Sequence, residues 1–264
     1  MKIKLYQIDA FTDQVFSGNP AAVCPLEGWL DDGTLQHIAS ENNLAETAYF
    51  VKAKDGYHIR WFTPVAEVDL CGHATLAAAY VIFNFSDYAS DSISFQSKSG
   101  VLTVTRSLEW YTLNFPADKV QAIALTPELI ACIGKKPSEA YQGLSDAMLV
   151  FSGRQMIEQA IPDFSKIARL KARGLIITAP GTDTDFVSRF FAPQFGINED
   201  PVTGSAHTTL TPYWSKRLGK PELTARQISG RGGFLKCKLV DDRVEMSGQG
   251  AFYMEGEIDL KFKI

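Results

Sequence analysis

Two short stretches of this 264-residue chain carry residues whose types and spacing suit the chemistry of small anions. In one, Gly72-His73-Ala74 follows Cys71; in the other, Gly204-Ser205-Ala206 follows Asp200-Pro201-Val202-Thr203. Glycine lets the backbone turn tightly into a helix, and the first amides of a helix have no partner within it. Those amides and the helix dipole attract a carboxylate or a phosphate. Groups able to hold or move a proton stand nearby in the chain: Cys71, His73, Asp200, Ser205 and, further off, Glu46. Each also has an ordinary reading. Glu46 is an exposed carboxylate at the head of a strand, and His73 a first-turn polar residue. Asp200 caps the loop before Pro201, and Ser205 is a common helix opener. A helix N-terminus disfavours a protonated His73, leaving a neutral imidazole able to hydrogen-bond.

The elements that must position these groups are written twice. Ile59 to Tyr80 reads IRWFTPVAEVDLCGHATLAAAY, and Arg189 to Leu210 reads RFFAPQFGINEDPVTGSAHTTL. Each has an Arg, two aromatics, a small residue and a Pro, then an acidic residue (Asp69; Asp200) and the helix-opening Gly. Gly72 and Gly204 are 132 residues apart (204 − 72), half of 264, which points to an internal duplication. The aromatic runs are strand-like and close at Pro, which cannot donate to a ladder. After Gly72, HATLAAAYVIFN is apolar on almost all sides and predicts a buried helix wrapped closely by strands. After Gly204, SAHTTLTPYWSKRLG is more polar; it predicts a less enclosed helix, kinked or restarted at Pro212. Two halves, each offering a helix start to solvent, suit a clamp on one small anionic ligand.

The length suits one large domain or two of about 130 residues, and the duplication favours two, spanning 1–115 and 116–264. Short strands around one central helix per half fit an α+β architecture better than alternating βαβ units. Helices are expected near Thr126–Ile133 and Ile167–Arg173, with Pro116–Ala122 as the crossover between halves. The net charge of −4, without runs of like charge, gives no sign of nucleic-acid or membrane binding. Cys24, Cys71, Cys132 and Cys237 form no CxxC or Cys/His cluster, so no metal site is expected and the thiols read as reduced. The N-terminal MKIKLYQIDAF lacks a signal-peptide stretch, and the longest apolar run, Ala74 to Phe83, is too short to span a bilayer. The expectation is a soluble cytoplasmic protein. Nucleotide-binding glycine motifs (GxGxxG after the first strand, GxxxxGK[ST]) are missing.

Further motifs fall in order along the chain. Asp9-Ala10-Phe11 precedes Phe16-Ser17-Gly18-Asn19-Pro20-Ala21; Ala45-Glu46-Thr47 follows. Phe62-Thr63-Pro64 then leads through Glu67 to Cys71-Gly72-His73-Ala74-Thr75, and Glu199-Asp200-Pro201-Val202-Thr203 leads to Gly204-Ser205-Ala206; Gly230-Arg231 matches more loosely. Together they resemble the PhzF-like phenazine-biosynthesis isomerases, within the diaminopimelate epimerase-like fold. The resemblance covers essentially the whole chain. It implies two similar lobes, each a curled, mostly antiparallel sheet or barrel around a central helix, with the site in the cleft between them. It also implies that the last strand, near 254–264, returns to the first lobe.

By the same resemblance, the protein is a cofactor-independent isomerase, and dimerisation is a family trait. Glu46 is the general acid/base that moves a proton within a small carboxylated substrate, a 1,3-type hydrogen shift. Such work needs a carboxylate shielded from water. His73 helps to hold substrate and steer the proton, and Asp200 is a second carboxylate facing it. The amides at Gly72, His73, Gly204 and Ser205, with the Ser205 hydroxyl, cradle the substrate carboxylate. A dihydro-hydroxyanthranilate is a candidate substrate. Arg231 either sits in a plain turn or adds positive charge near the site. The two-base epimerases of this fold use a pair of cysteines, whereas this chain has Cys71 and no second thiol in Pro201-Val202-Thr203. Cys71 then reads as a small buried residue. Two alternatives stay open: an epimerase or racemase using non-thiol bases such as Glu46 and Asp200, and a binding protein that keeps the anion clamp without turnover.

Overall fold

A computed structural model describes residues 1–260 of the chain. The chain divides into two units: Met1–Asn114 together with the segment from Ser247 onward, and Phe115–Met246.

The first unit opens with β1 (Lys2–Ala10), β2 (Asn19–Leu26), α1 (Asp32–Asn42), β3 (Glu46–Ala53), β4 (Gly56–Phe62) and the short β5 (Glu67–Val68). It continues with α2 (Gly72–Phe85), β6 (Ser92–Ser97), β7 (Gly100–Ser107) and β8 (Trp110–Pro116). Most neighbours pair antiparallel, but β2 runs parallel to β3 and β4 parallel to β6. The helix α2 packs against β1, β2 and β3, and every residue from His73 to Ala79 is buried. Its alanines let the strand backbones approach closely, as its all-round apolar sequence requires.

The second unit contains β9 (Gln121–Ile123), α3 (Pro127–Ile133), β10 (Glu139–Gln142), β11 (Asp146–Val150), α4 (Arg154–Glu158) and α5 (Phe164–Ile167). Then come β12 (Gly174–Pro180), β13 (Phe186–Ala192), β14 (Ile197–Asp200), α6 (Gly204–Leu218), β15 (Glu222–Gln227), β16 (Gly233–Val240) and β17 (Arg243–Gly248). The last strand, β18 (Gly250–Asp259), lies antiparallel to β1, from Lys2↔Asp259 to Ala10↔Gly250. Of the 254–264 stretch, positions 261–264 lie outside the described residues. The architecture is α+β, mostly antiparallel, with α6 packed on β15 and β16.

Three local expectations need correction. The helix placed at Ile167–Arg173 is instead Phe164–Ile167, because Asp163 caps it by accepting the Lys166 amide. The crossover Pro116–Ala122 leads into strand β9, which pairs with β10. The second central helix runs unbroken through Pro212 and is buried over most of its length, with only its last turn exposed. Two of its polar groups fit there through bonds to other elements: Thr209 donates to Asp118 at 2.9 Å, and Trp214 donates to Thr178 at 2.9 Å. Burial of Leu210, Tyr213 and Trp214 offsets the ~3 kcal/mol that an interior proline costs.

Both units repeat one ion-pair construction. In the first, Arg60 donates through Nε and Nη2 to Glu67 at 2.7 and 2.9 Å and lies 5.1 Å from the Phe62 ring centre. In the second, Arg189 donates to Glu199 at 2.6 and 2.8 Å and lies 5.1 Å from the Phe191 ring centre. These bonds clamp the hairpins β4–β5 and β13–β14, the connectors that lead towards α2 and α6. The Arg60 bonds hold the Glu67 carboxyl down at about 2, against the upward push of burial and with help from Lys98. Because this value lies below that of the unfolded chain, the stabilisation is complete above about pH 4.3. It is lost as pH falls through about 2. Urea unfolding of wild type and Glu67→Gln should therefore differ by a constant amount from neutrality down to about pH 4, with the gap closing below that.

Candidate active site

In the first unit, three elements deliver side chains to one place. Glu46 is the first residue of β3, just past Asn43, the left-handed cap of α1. Asn42 ties down the strand start by donating to Thr47 at 3.1 Å. The Glu46 side chain is only 12% exposed, so it is not the open strand-end carboxylate of its ordinary reading. His73, the second residue of α2, is buried and places Nε2 3.1 Å from Glu46 Oε2. Its Nδ1 faces Cys71 Sγ at 3.5 Å and the amide Nδ2 of Asn19 at 3.3 Å. Asn19 is the first residue of β2 and is fully buried. Gly72 opens α2, and the N-cap Cys71 gives the helix no side-chain hydrogen bond.

The helix start alone would leave His73 neutral, but its surroundings outweigh it. The imidazole pKa is lifted well above its ordinary value. Burial, the largest single influence, works against the positive charge; Cys71 and Glu46 overcome it. Cys71 can do so only as a thiolate, and burial with the Glu46 charge pushes that thiol up. At neutral pH the Glu46 carboxylate is therefore the group that favours a proton on the ring. Glu46, Cys71 and His73 also bring an oxygen, a sulfur and a nitrogen within 4.8 Å of one another, a donor set that suits a thiophilic divalent ion. In the present arrangement His73 Nε2 and Glu46 Oε2 lie 3.1 Å apart as an ion-pair contact, without hydrogen-bond geometry.

The second unit carries its own constellation. Asp200 ends β14 opposite Phe190, is buried, and accepts the Thr203 hydroxyl at 2.5 Å, so it also acts as the loop cap of its ordinary reading. Gln227, buried at the end of β15, braces the same loop. It donates to Asp200 O at 2.8 Å and accepts the Thr203 amide at 2.9 Å. Gly204 opens α6, whose N-cap Thr203 gives no side-chain hydrogen bond to the helix. The Ser205 hydroxyl accepts from Arg173 Nη2 at 2.9 Å, and Arg173 in turn clasps the buried Asp146 through Nε at 2.9 Å and Nη2 at 2.5 Å. Ser229 donates to Pro201 O at 2.7 Å, which ties the Gly230-Arg231 turn to the loop before α6. His207 is a structural histidine: burial pulls it down to about 4, and its neutral ring meets the Thr203 carbonyl at 2.8 Å.

The sequence candidates thus gather in two sets: Glu46, Cys71, Gly72 and His73 in one unit, and Asp200, Gly204 and Ser205 in the other. Sequence reading missed Asn19, Asp146, Arg173 and Gln227 as partners of these groups. Asn19 had a signal in the Gly18-Asn19-Pro20 turn. Arg173 and Asp146 had none, because their pairing spans 27 residues of unremarkable sequence.

Comparison with known proteins adds the following. Residues 8–256 match the family model described as phenazine biosynthesis-like protein (PhzC-PhzF). An uncharacterized isomerase of Pseudomonas aeruginosa is 46% identical over 98% of this chain and 100% of its own length. A crystal structure of a phenazine biosynthesis protein of the PhzF family from Enterococcus faecalis superposes with a TM-score of 0.97 at 48% identity, covering 98% of this chain and 100% of that one. The structure of a predicted epimerase from Pseudomonas aeruginosa shares the fold, with a TM-score of 0.74 at 17% identity over 98% and 100% of the two chains.

Proposed function

Since the chain belongs to the phenazine biosynthesis-like (PhzC-PhzF) family, a family of isomerases with the diaminopimelate epimerase-like fold, we propose that it moves a hydrogen within a small carboxylated substrate, with Glu46 as general acid/base. The observation that carries this reading is the buried Glu46–His73 pair, 3.1 Å apart at the start of α2. His73 engages one oxygen of the carboxylate, and the other is left for the substrate. Glu46 takes a proton from an activated carbon, and the electron pair left behind spreads over the adjoining unsaturated system. The same proton returns two carbons away, so atoms and charge balance without any co-reactant. Amides at the start of α2 bind the substrate carboxylate. One hydrogen-carrying carboxylate fits a 1,3 shift better than stereoinversion, which needs an acid and a base on opposite faces. Cys71 has no thiol counterpart, since Thr203 is the N-cap of α6. No cofactor and no metal is assigned to the reaction, and a homodimer is its proposed assembly.

The test is incubation in D₂O with a dihydro-hydroxyanthranilate and with small unsaturated and amino acids, followed by NMR of the product. A displaced double bond with deuterium at the receiving carbon supports the isomerase. Exchange with inversion at one carbon would replace it with the epimerase, and binding without exchange with a clamp lacking turnover.

A further inference from the structure

We propose that Cys71, His73 and Glu46 form a binding site for a thiophilic divalent cation of the Zn²⁺ type, and that the bound ion blocks the site by occupying its carboxylate and imidazole. Among the described residues, no other three His, Cys, Asp or Glu side chains bring their ligand atoms together in this way, within 4.8 Å of one another. A tetrahedral Zn²⁺, with Zn–S of about 2.3 Å and Zn–N of about 2.0 Å, sets its sulfur and nitrogen about 3.5 Å apart. Cys71 Sγ and His73 Nδ1 already stand at 3.5 Å. The backbone fixes that spacing: the amide and hydroxyl of Thr75 both donate to the Cys71 carbonyl, and the Cys71 thiol gives α2 no capping bond. A second observation points to a ligand. His73 Nε2 and Glu46 Oε2 are buried and neither makes a hydrogen bond, so nothing pins the carboxylate where it lies.

The ion lies between Sγ and Nδ1, and Glu46 closes in as the third ligand by turning its side chain. Asn19 Nδ2, 3.3 Å from Nδ1, gives way by a turn of its amide. Cys71 binds as the thiolate and His73 through a ring lone pair, so the protons they carry leave to solvent. The surroundings that favour a proton on His73 favour a dication for the same reason, since the Glu46 carboxylate supplies the negative charge. The positive end of α2 opposes a cation, but its partial charge is outweighed by a thiolate and a carboxylate in direct contact. Glu46, 12% exposed, keeps the cluster open to solvent on one side. With the ion in place, Glu46 has no free oxygen lone pair for a substrate proton. This consequence rests on the isomerase reading; the metal site does not.

The test titrates the full chain, stripped with a chelator, with Co²⁺, which takes Zn²⁺-type sites and reports sulfur ligation as near-ultraviolet charge-transfer absorption. Wild type should bind one Co²⁺ per chain with that absorption, and Zn²⁺ should displace it. Cys71→Ser and Cys71→Ala should lose the absorption, two thiol-free variants guarding against a misfolded one. His73→Gln and Glu46→Gln should each weaken Co²⁺ binding at least tenfold, whereas Cys132→Ser, in the other unit, should leave it unchanged. Wild type without the absorption, absorption that survives loss of Cys71, or equal affinity in His73→Gln would overturn the proposal. In the D₂O assay, Zn²⁺ at a hundredfold excess over its Kd should slow the hydrogen shift of wild type at least tenfold; an unchanged rate overturns the blocking role. If wild type turns over nothing, only the isomerase reading falls, and the Co²⁺ spectra still decide the metal site.

Discussion

Glu46→Gln is expected to lower kcat of the hydrogen shift by about a thousandfold, the middle of the range for removing a general acid/base. That loss corresponds to about 4 kcal/mol of transition-state stabilisation. The amide matches the carboxylate in shape and can still meet His73, so KM should stay within about threefold while kcat collapses. The discriminating feature is that an amide cannot carry a proton between carbons. Glu46→Asp retains the acid but withdraws it by one methylene from an oxygen held 3.1 Å from Nε2. It should lose less, about ten- to a hundredfold, because misplacement by about 1 Å has that kind of cost. Loss of the charge has a second readout: the His73 pKa should fall, since Glu46 is the neighbour that favours its proton at neutral pH. Residual activity of Glu46→Gln above about a tenth of wild type, in isotope-exchange or product assays, would remove Glu46 from the mechanism.

How much of this was legible beforehand differs between fold and site. The buried helix after Gly72 was readable because an all-apolar run has only one place to go, the interior. The helix after Gly204 misled, because its threonines and His207 look solvated in sequence, and part of what makes them acceptable in a core lies far along the chain. Thr209 finds Asp118 across 91 residues, which no local pattern records. The short strands β9, β10 and β14 escaped for a related reason: with three or four residues each, they are too short for a period of two to emerge. In the site, Glu46 and His73 were named through family resemblance, and geometry supplied what resemblance could not, their burial and mutual distance. The expected neutral His73 failed because a helix dipole is a weak, local influence. A carboxylate at 3.1 Å in a buried setting is a stronger one.

Arg189→Ala should be the most destabilising single change at either Arg–Glu clamp, costing about 3–5 kcal/mol as expected for breaking a buried pair from one side. Its side chain is 12% exposed and that of Glu199 is 23% exposed, so the stranded carboxylate is poorly hydrated. Arg189 also donates to the Ile157 and Ala160 carbonyls at 3.0 and 3.1 Å, and both lose their donor in the variant. The matching change Arg60→Ala should cost less, about 1–2 kcal/mol, because Glu67 keeps Lys98 at 2.6 Å. If charge stranding causes the loss, then replacing both partners, Arg189→Met with Glu199→Leu, should recover more than half of it, since a buried ion pair is often no better than packed apolar groups. The hairpin this pair clamps ends at Asp200, so Arg189→Ala should also loosen the loop that the Asp200–Thr203 bond holds, and the apolar double variant should tighten it again in parallel with stability. Urea unfolding of the three variants together with wild type decides the matter. A double variant as unstable as Arg189→Ala would show that the guanidinium acts through its carbonyl partners and its packing on Phe191 rather than through Glu199.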